Sequence, residues 1–268
     1  MNIKPILLTA SLMLLAACEK EIDLNYHTVA PLYVCEATLT PTKVNVKLTT
    51  TRNVTQQRQD DQMVANTVVT ITPTDTEYTD TLLNKGNGNY QLTYFSEEHH
   101  DYTLDICIDN HHYTSTSTLM SKPQVNNFRF VWQDMMSEKI LFAELRLQDN
   151  ADENNYYFMH IYRNNVGYRW AVMRDTQNPG EELQQLFSCC TKRQMDNDSD
   201  SDVLHDGDRI RLEVRSICRR AYDYLYSMQI MDNTGSNPVP NFTGGMLGYF
   251  SAFQQEEVNV VFHPEDIE

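Results

Sequence analysis

Positive charge is scarce in this sequence. Its 21 lysines and arginines stand against 37 aspartates and glutamates, a formal net charge of −16. Nucleic acid and anionic lipid both demand a basic face, so neither is expected as a partner of the folded part. Long apolar runs are missing as well. Pro5 to Ala17 is a short apolar stretch, broken by Thr9 and Ser11, and a bilayer-spanning helix needs roughly 20 apolar residues. There is no Gly-x-Ser-x-Gly elbow, no His-Glu-x-x-His, and no Walker or dinucleotide-binding glycine pattern. No catalytic or cofactor-binding residue is therefore expected. Paired carboxylates for glycoside hydrolysis cannot be singled out in so acidic a chain, because too many pairs would qualify.

What the N-terminus does hold is the three-part pattern of a secretory signal: Lys4, the apolar stretch, then small residues before Cys18. Leu15-Ala16-Ala17-Cys18 fits the lipobox of bacterial lipoproteins at every position. The expectation is a signal peptide over 1–17, lipidation at Cys18, and attachment to the bilayer through N-terminal acyl chains such as palmitate. Two or more chains hold firmly where one binds marginally. Residues 18–27 then form a lipidated tether. The residue after Cys18 is Glu19 rather than the Asp that retains enterobacterial lipoproteins at the inner membrane. The cluster Glu19, Lys20, Glu21, Asp23 resembles the surface-export signal of Bacteroidota lipoproteins. The expected location is the outer membrane, with the cell surface favoured over the periplasmic face.

Cys35, Cys107, Cys189, Cys190 and Cys218 remain, and export would place them where disulfides persist. Cys35 with Cys107, and Cys189 or Cys190 with Cys218, are the candidate pairs, against buried thiols; an odd number leaves at least one unpaired. The spacings lack two Cys-x-x-Cys knuckles, so no zinc site is expected. His99-His100 and His111-His112 resemble metal ligands, but a hairpin between them puts the pairs at opposite ends. Eight extended residues at ~3.3 Å each separate them by roughly 25 Å, so one metal cannot use both. Asp196 to Asp202 alternates carboxylates as calcium loops do. However, Ser201 and Gly207 stand where an EF-hand needs Gly and Glu. A solvated acidic loop is the expectation, with a weak calcium site of another type as the alternative.

The rest of the chain reads as strands. Val44 to Leu48, Val69 to Ile71 and Tyr102 to Ile106 alternate apolar with polar residues. Asn84 to Asn89 and Asp109-Asn110 read as turns. This spacing predicts an antiparallel β-sandwich over 28–121. Ser121-Lys122-Pro123 reads as a boundary, and a second β-rich domain is expected over 122–268. Strand patterns resume at Phe128 to Trp132, Ile140 to Leu147, Tyr156 to Tyr162, Tyr168 to Met173 and Arg209 to Ile217. In Ala221 to Ile230, Tyr222, Leu225, Tyr226 and Gln229 recur at helical offsets, which predicts one short helix over 219–230. Tyr222, Tyr224, Tyr226, Tyr249 and Phe250 are expected in packing rather than lining a ligand cleft.

Cys18-Glu19-Lys20-Glu21-Ile22-Asp23-Leu24, Leu32 to Ala37, Tyr102 to Ile106 and Gly244 to Phe250 together resemble Bacteroidota lipoproteins grouped under domain of unknown function 4249. Ala37 departs from the family's common Gly, and Cys35 from an aliphatic. The resemblance implies an outer-membrane lipoprotein, often encoded near TonB-dependent transporters, with an Ig- or transthyretin-like first half and no catalytic residues to carry over. The functional expectation is a non-enzymatic lipoprotein that binds a ligand or assists a TonB-dependent transporter. The alternatives are a fimbrial or adhesion subunit, which needs a releasable N-terminal strand, and a hydrolase using scattered carboxylates.

Overall fold

Alternation governs this chain from Tyr33 onward. In the computed structural model, which describes residues 30–52, 64, 66–152, 154–175, 180–197 and 201–267, strands β1 (Tyr33–Thr40) and β2 (Lys43–Thr50) bury every second side chain. Cys35, Ala37 and Leu39 point inward from β1, and Val44, Val46 and Leu48 from β2. The same rule holds in β3 (Thr67–Pro73) and β7 (Asp101–Ile108), which send in Val69, Ile71, Tyr102, Leu104, Ile106 and Ile108. Between these lie β4 (Asp80–Thr81), β5 (Leu83–Gly86) and β6 (Asn89–Thr93), and β8 (His111–Thr118) follows. The β7–β8 turn is Asp109-Asn110, with φ of 48° and 65°. Two consecutive left-handed residues give the tight turn whose twist suits a hairpin. Each large aliphatic buried here contributes about 1.5–3 kcal/mol.

The second half adds β9 (Gln124–Met135), β10 (Glu138–Gln148), β11 (Tyr156–Arg163), β12 (Val166–Arg174) and β13 (Glu182–Thr191). After them come a short helix α1 (Lys192–Asn197), β14 (Arg209–Ile217), helix α2 (Arg219–Thr234) and β15 (Leu247–Val261). Helix α2 covers the expected 219–230 and runs on until Gly235, whose left-handed φ of 63° ends it. Helix α1 is not expected from the sequence. It begins with a capping box: Gln194 N–H donates to Thr191 Oγ1 at 3.2 Å, and Thr191 N–H donates to Gln194 Oε1 at 2.8 Å.

Among the described residues, three sheets result. The largest has eight strands in the order β12-β11-β14-β15-β1-β2-β6-β5; the others are β4-β3-β7-β8 and β13-β10-β9. The four-stranded sheet closes one core over β1 and β2, and the three-stranded sheet closes a second over β11 and β14. Mostly-β sandwich architecture is therefore what the chain adopts, but the two sandwiches share a sheet.

The strand that joins them is β15. Over residues 247–252 it pairs parallel with β1, and over 253–261 antiparallel with β14. The first core consequently takes Phe242, Met246, Phe250 and Ala252 from beyond Pro123, and residues 31–268 form one compact unit. Gly248 makes the parallel pairing possible: its φ is +94°, and a Cβ there would lie 1.9 Å from the Cys35 carbonyl oxygen. The free edge of β15 beside β1 is satisfied by side chains. Phe250 N–H donates to Asn241 Oδ1 at 2.9 Å and Ala252 N–H to Ser117 Oγ at 2.8 Å. These bonds remove the cost of burying unpaired amides. Helix α2 packs on the opposite face of the large sheet, through Ala221, Tyr222 and Leu225 against Ile217 and Phe253. Its Gln229 Oε1 accepts the N–H of Val172 on edge strand β12, at 3.4 Å.

Candidate functional site

Cys18 and its tether lie outside the described residues, as do residues 198–200 of the acidic run. The expected disulfides are not formed: Cys35, Cys107, Cys189, Cys190 and Cys218 make no disulfide with one another. Strand parity explains the first pair. Cys35 faces the first core, whereas Cys107 alternates with the buried Ile106 and Ile108 and turns to the far side of the opposite sheet. Cys189 and Cys190 sit in the second core, but Cys218 belongs to the helix cluster behind the sheet. Its Sγ lies 3.2 Å from Ser117 Oγ instead.

The paired histidines fall at opposite ends of the β7–β8 hairpin, where Ile108 faces His111 and Asp101 faces Thr118. His112 Nδ1 lies 2.7 Å from Asp105 Oδ2, and His100 Nε2 is 3.6 Å from Asp75. Among the described residues, no three metal-type side chains converge. The described part of the acidic loop is gripped by arginines. Asp202 pairs with Arg169 at 3.0 Å, and Arg163 donates to the Ser201 carbonyl at 2.9 Å. Arg163 Nε also reaches Asp208 at 2.6 Å. Among the aromatics, Phe250 is fully buried, and Tyr224 stacks on Tyr249 at 5.2 Å.

Sequence reasoning missed the outer face of β11, β12 and β14. Strand β11 buries Tyr157, Met159 and Ile161, so alternation sends Phe158, His160 and Tyr162 to the other side. In β14 the inward residues are Ile210, Leu212 and Val214, which turns Arg209, Arg211, Glu213 and Arg215 outward. Cross-strand register then aligns Tyr162 with Arg211, His160 with Glu213 and Phe158 with Arg215. The Arg211 guanidinium sits 3.9 Å from the Tyr162 ring centre, and Arg215 4.3 Å from that of Phe253. His160 stacks on Tyr162 at 4.0 Å. Trp170 lies across from His160 and is 39% exposed.

Electrostatics fix this face. The Glu213 carboxylate is buried beneath Arg211, at 3.1 Å, and Arg215. Burial pushes the His160 imidazole below its ordinary value, and the Arg215 and Arg211 charges add to that; Glu213 opposes them. His160 is thus neutral at pH 7 and stacks as an aromatic. Beside this ladder, at the β11–β12 turn, lies a half-open groove of about 240 Å³ lined by Asn165, Arg209, Arg211, Asn259 and Val261. The arrangement offers guanidinium and amide donors next to stacked rings, which can meet a small polar ligand with hydrogen bonds and ring contact.

Two sandwich cores under one shared sheet, with arginine and aromatic side chains on its outer face, define a mostly-β sandwich protein. The chain belongs to the family described as Domain of unknown function (DUF4249), whose model matches residues 19–258. No curated protein matches it. A solved two fibronectin type-III domain segment from chicken tenascin is 10% identical, covering 87% of this chain and 100% of its own, with a TM-score of 0.24. At that score it carries nothing over to this chain.

Proposed function

We propose that this protein is a non-enzymatic, lipid-anchored lipoprotein of the Bacteroidota outer membrane that uses the arginine–aromatic sheet face to bind a ligand or to assist a TonB-dependent transporter. The observation that carries the binding role is the position of that face. The chain enters the fold at the start of β1, beside Leu247, whereas the groove lies beside Val261 at the other end of β15. Fourteen residue steps at ~3.3 Å put about 45 Å between them. A surface held that far from the tethered end is free to meet a partner. The lipobox at Leu15 to Cys18 supports the anchor, and the acidic residues after it support the outer face of the membrane.

The fimbrial alternative fares worse, because β1 lies inside the eight-stranded sheet with β15 on one edge and β2 on the other. Releasing it would break both ladders. Fractionation of cells expressing wild type or Cys18→Ser, followed by gentle-detergent purification with the transporter present, tests the proposal. Wild type should sediment with outer membranes and retain the transporter, and Cys18→Ser should be released. Recovery of wild type always alone, or from the soluble fraction, would sink it.

A further inference from the structure

Most arginines of the described surface are tied to carboxylates. Arg129 and Arg146 share Glu144, Arg163 holds Asp208, Arg169 holds Asp202, and Arg211 and Arg215 share Glu213. Arg209 lines the groove and, among the described residues, has no carboxylate partner for its side chain. None of the groove's lining side chains is acidic, in a chain whose formal charge is −16. Asn164 is committed, donating to Asp208 and accepting the Arg209 backbone N–H. Its neighbours in the groove, Asn165 and Asn259, make no side-chain hydrogen bond among the described residues.

We propose that this groove binds the carboxylate-bearing ring of an acidic sugar, with Arg209 gripping the carboxylate and Asn165 and Asn259 reading hydroxyls. The chemistry sets the class. A guanidinium fork matches a carboxylate in two parallel hydrogen bonds. An amide side chain both donates and accepts, which suits a hydroxyl that does the same. Val261 supplies apolar contact for the C–H face of a ring. At about 240 Å³ the groove is at the small end of ligand sites and takes one ring. Of the two arginines that line the groove, Arg211 is held by Glu213 and Arg209 has no carboxylate beside it among the described residues, which calls for one negative charge. The proposal rests on the outer sheet face being the binding surface.

Isothermal titration calorimetry of the full-length protein in detergent micelles tests this with digalacturonate, neutral galactobiose, acetate and inorganic phosphate. Saturable binding of digalacturonate is expected, with galactobiose about ten- to a hundredfold weaker, the span of a lost charge-assisted contact. Arg209→Gln should weaken digalacturonate by the same factor and leave galactobiose unchanged. Asn259→Ala should weaken both sugars. Arg209 is exposed, so the variant's melting temperature should match wild type. Equal binding of the acidic and neutral sugars, equal binding of acetate or phosphate, an unaffected Arg209→Gln variant, or no sugar binding at all would each overturn the proposal. Transporter recovery separates the two readings. If Trp170→Ala lowers that recovery while no acidic sugar binds, this inference fails alone; if recovery is absent throughout as well, the surface itself is wrong.

Discussion

Replacing Asp208 with Asn should cost far more than losing a surface ion pair does. Its carboxylate accepts from Arg163 Nε at 2.6 Å, Asn164 Nδ2 at 2.7 Å and the His205 N–H at 2.8 Å. The Arg163 side chain is only 17% exposed and that of Asp208 10%. Asn keeps one acceptor oxygen but brings an NH2 against donors, and it leaves the guanidinium largely buried without its counter-charge. Breaking a buried pair costs about 3–5 kcal/mol, and the retained acceptor puts this case near ~3. At roughly 2–4 °C per kcal/mol for a chain of this size, the melting temperature should fall by about 6–12 °C. Asp202→Asn, at the other end of the same loop, is the control. The Asp202 side chain is 53% exposed, so its pair with Arg169 is worth at most ~1 kcal/mol.

The two variants should separate again in acid. The Asp208 carboxyl lies below its ordinary value of 3.8: burial raises it, but the His205 N–H, Asn164 and Arg163 together outweigh burial. A depressed folded value means the unfolded chain takes the proton first. The stabilisation is therefore complete above about pH 4 and is lost as the pH falls through the lower folded value. Thermal melts at pH 7 and urea denaturation between pH 7 and 3, both followed by circular dichroism, read the two effects. Asp208→Asn should be less stable at pH 7 and flatter toward acid. A shift under about 2 °C, or an unchanged acid slope, would refute the reasoning.

Gly248→Ala should disrupt the β1–β15 pairing, since the new methyl meets the Cys35 carbonyl at a φ of +94°. Thiol labelling of Cys35, fully buried and with its pKa pushed up by that burial, should be negligible in wild type at pH 8 and rapid in the variant. A chain ending at residue 121 lacks Phe242, Met246, Phe250 and Ala252 of the first core; it should show no cooperative melt, and a sharp transition would contradict the shared-core reading. Phe250→Ala in the whole chain should cost about 3–5 kcal/mol, read as a lower urea midpoint. His160 should titrate below its ordinary 6.5 by NMR. Because its folded value is depressed, stability should drop as pH falls below about 6.5, and His160→Gln should remove that slope.

Local period-2 alternation made much of this fold legible. The Tyr102-to-Ile106 pattern, the Asp109-Asn110 turn and the helix after Cys218 each declare themselves within a few residues, because strand parity, left-handed φ and helical spacing are local properties. Parity was also enough to set Cys107 against Ile106 and Ile108, and so to forbid its bond to Cys35; the candidate disulfide followed from compartment and count, which say nothing about facing. Thr191-x-x-Gln194 likewise carried a capping box, masked by the acidic run just after it.

The arginine–aromatic face was hidden for a different reason. Arg209, Arg211, Glu213 and Arg215 alternate visibly in β14, and Phe158, His160 and Tyr162 do so in β11. Each set alone reads as the solvent side of a strand. They become a ladder of guanidinium over ring only when register places Arg211 opposite Tyr162 and Arg215 opposite Phe158, across about 50 residues of chain that includes β12, β13 and α1. The same non-local logic governs β15, whose first residues complete a core begun more than 200 positions earlier. Through that strand the start of β1 and the groove beside Arg209 belong to one sheet. A load placed on the groove is therefore carried along continuous hydrogen-bonded ladders to β1, rather than across a linker at Pro123.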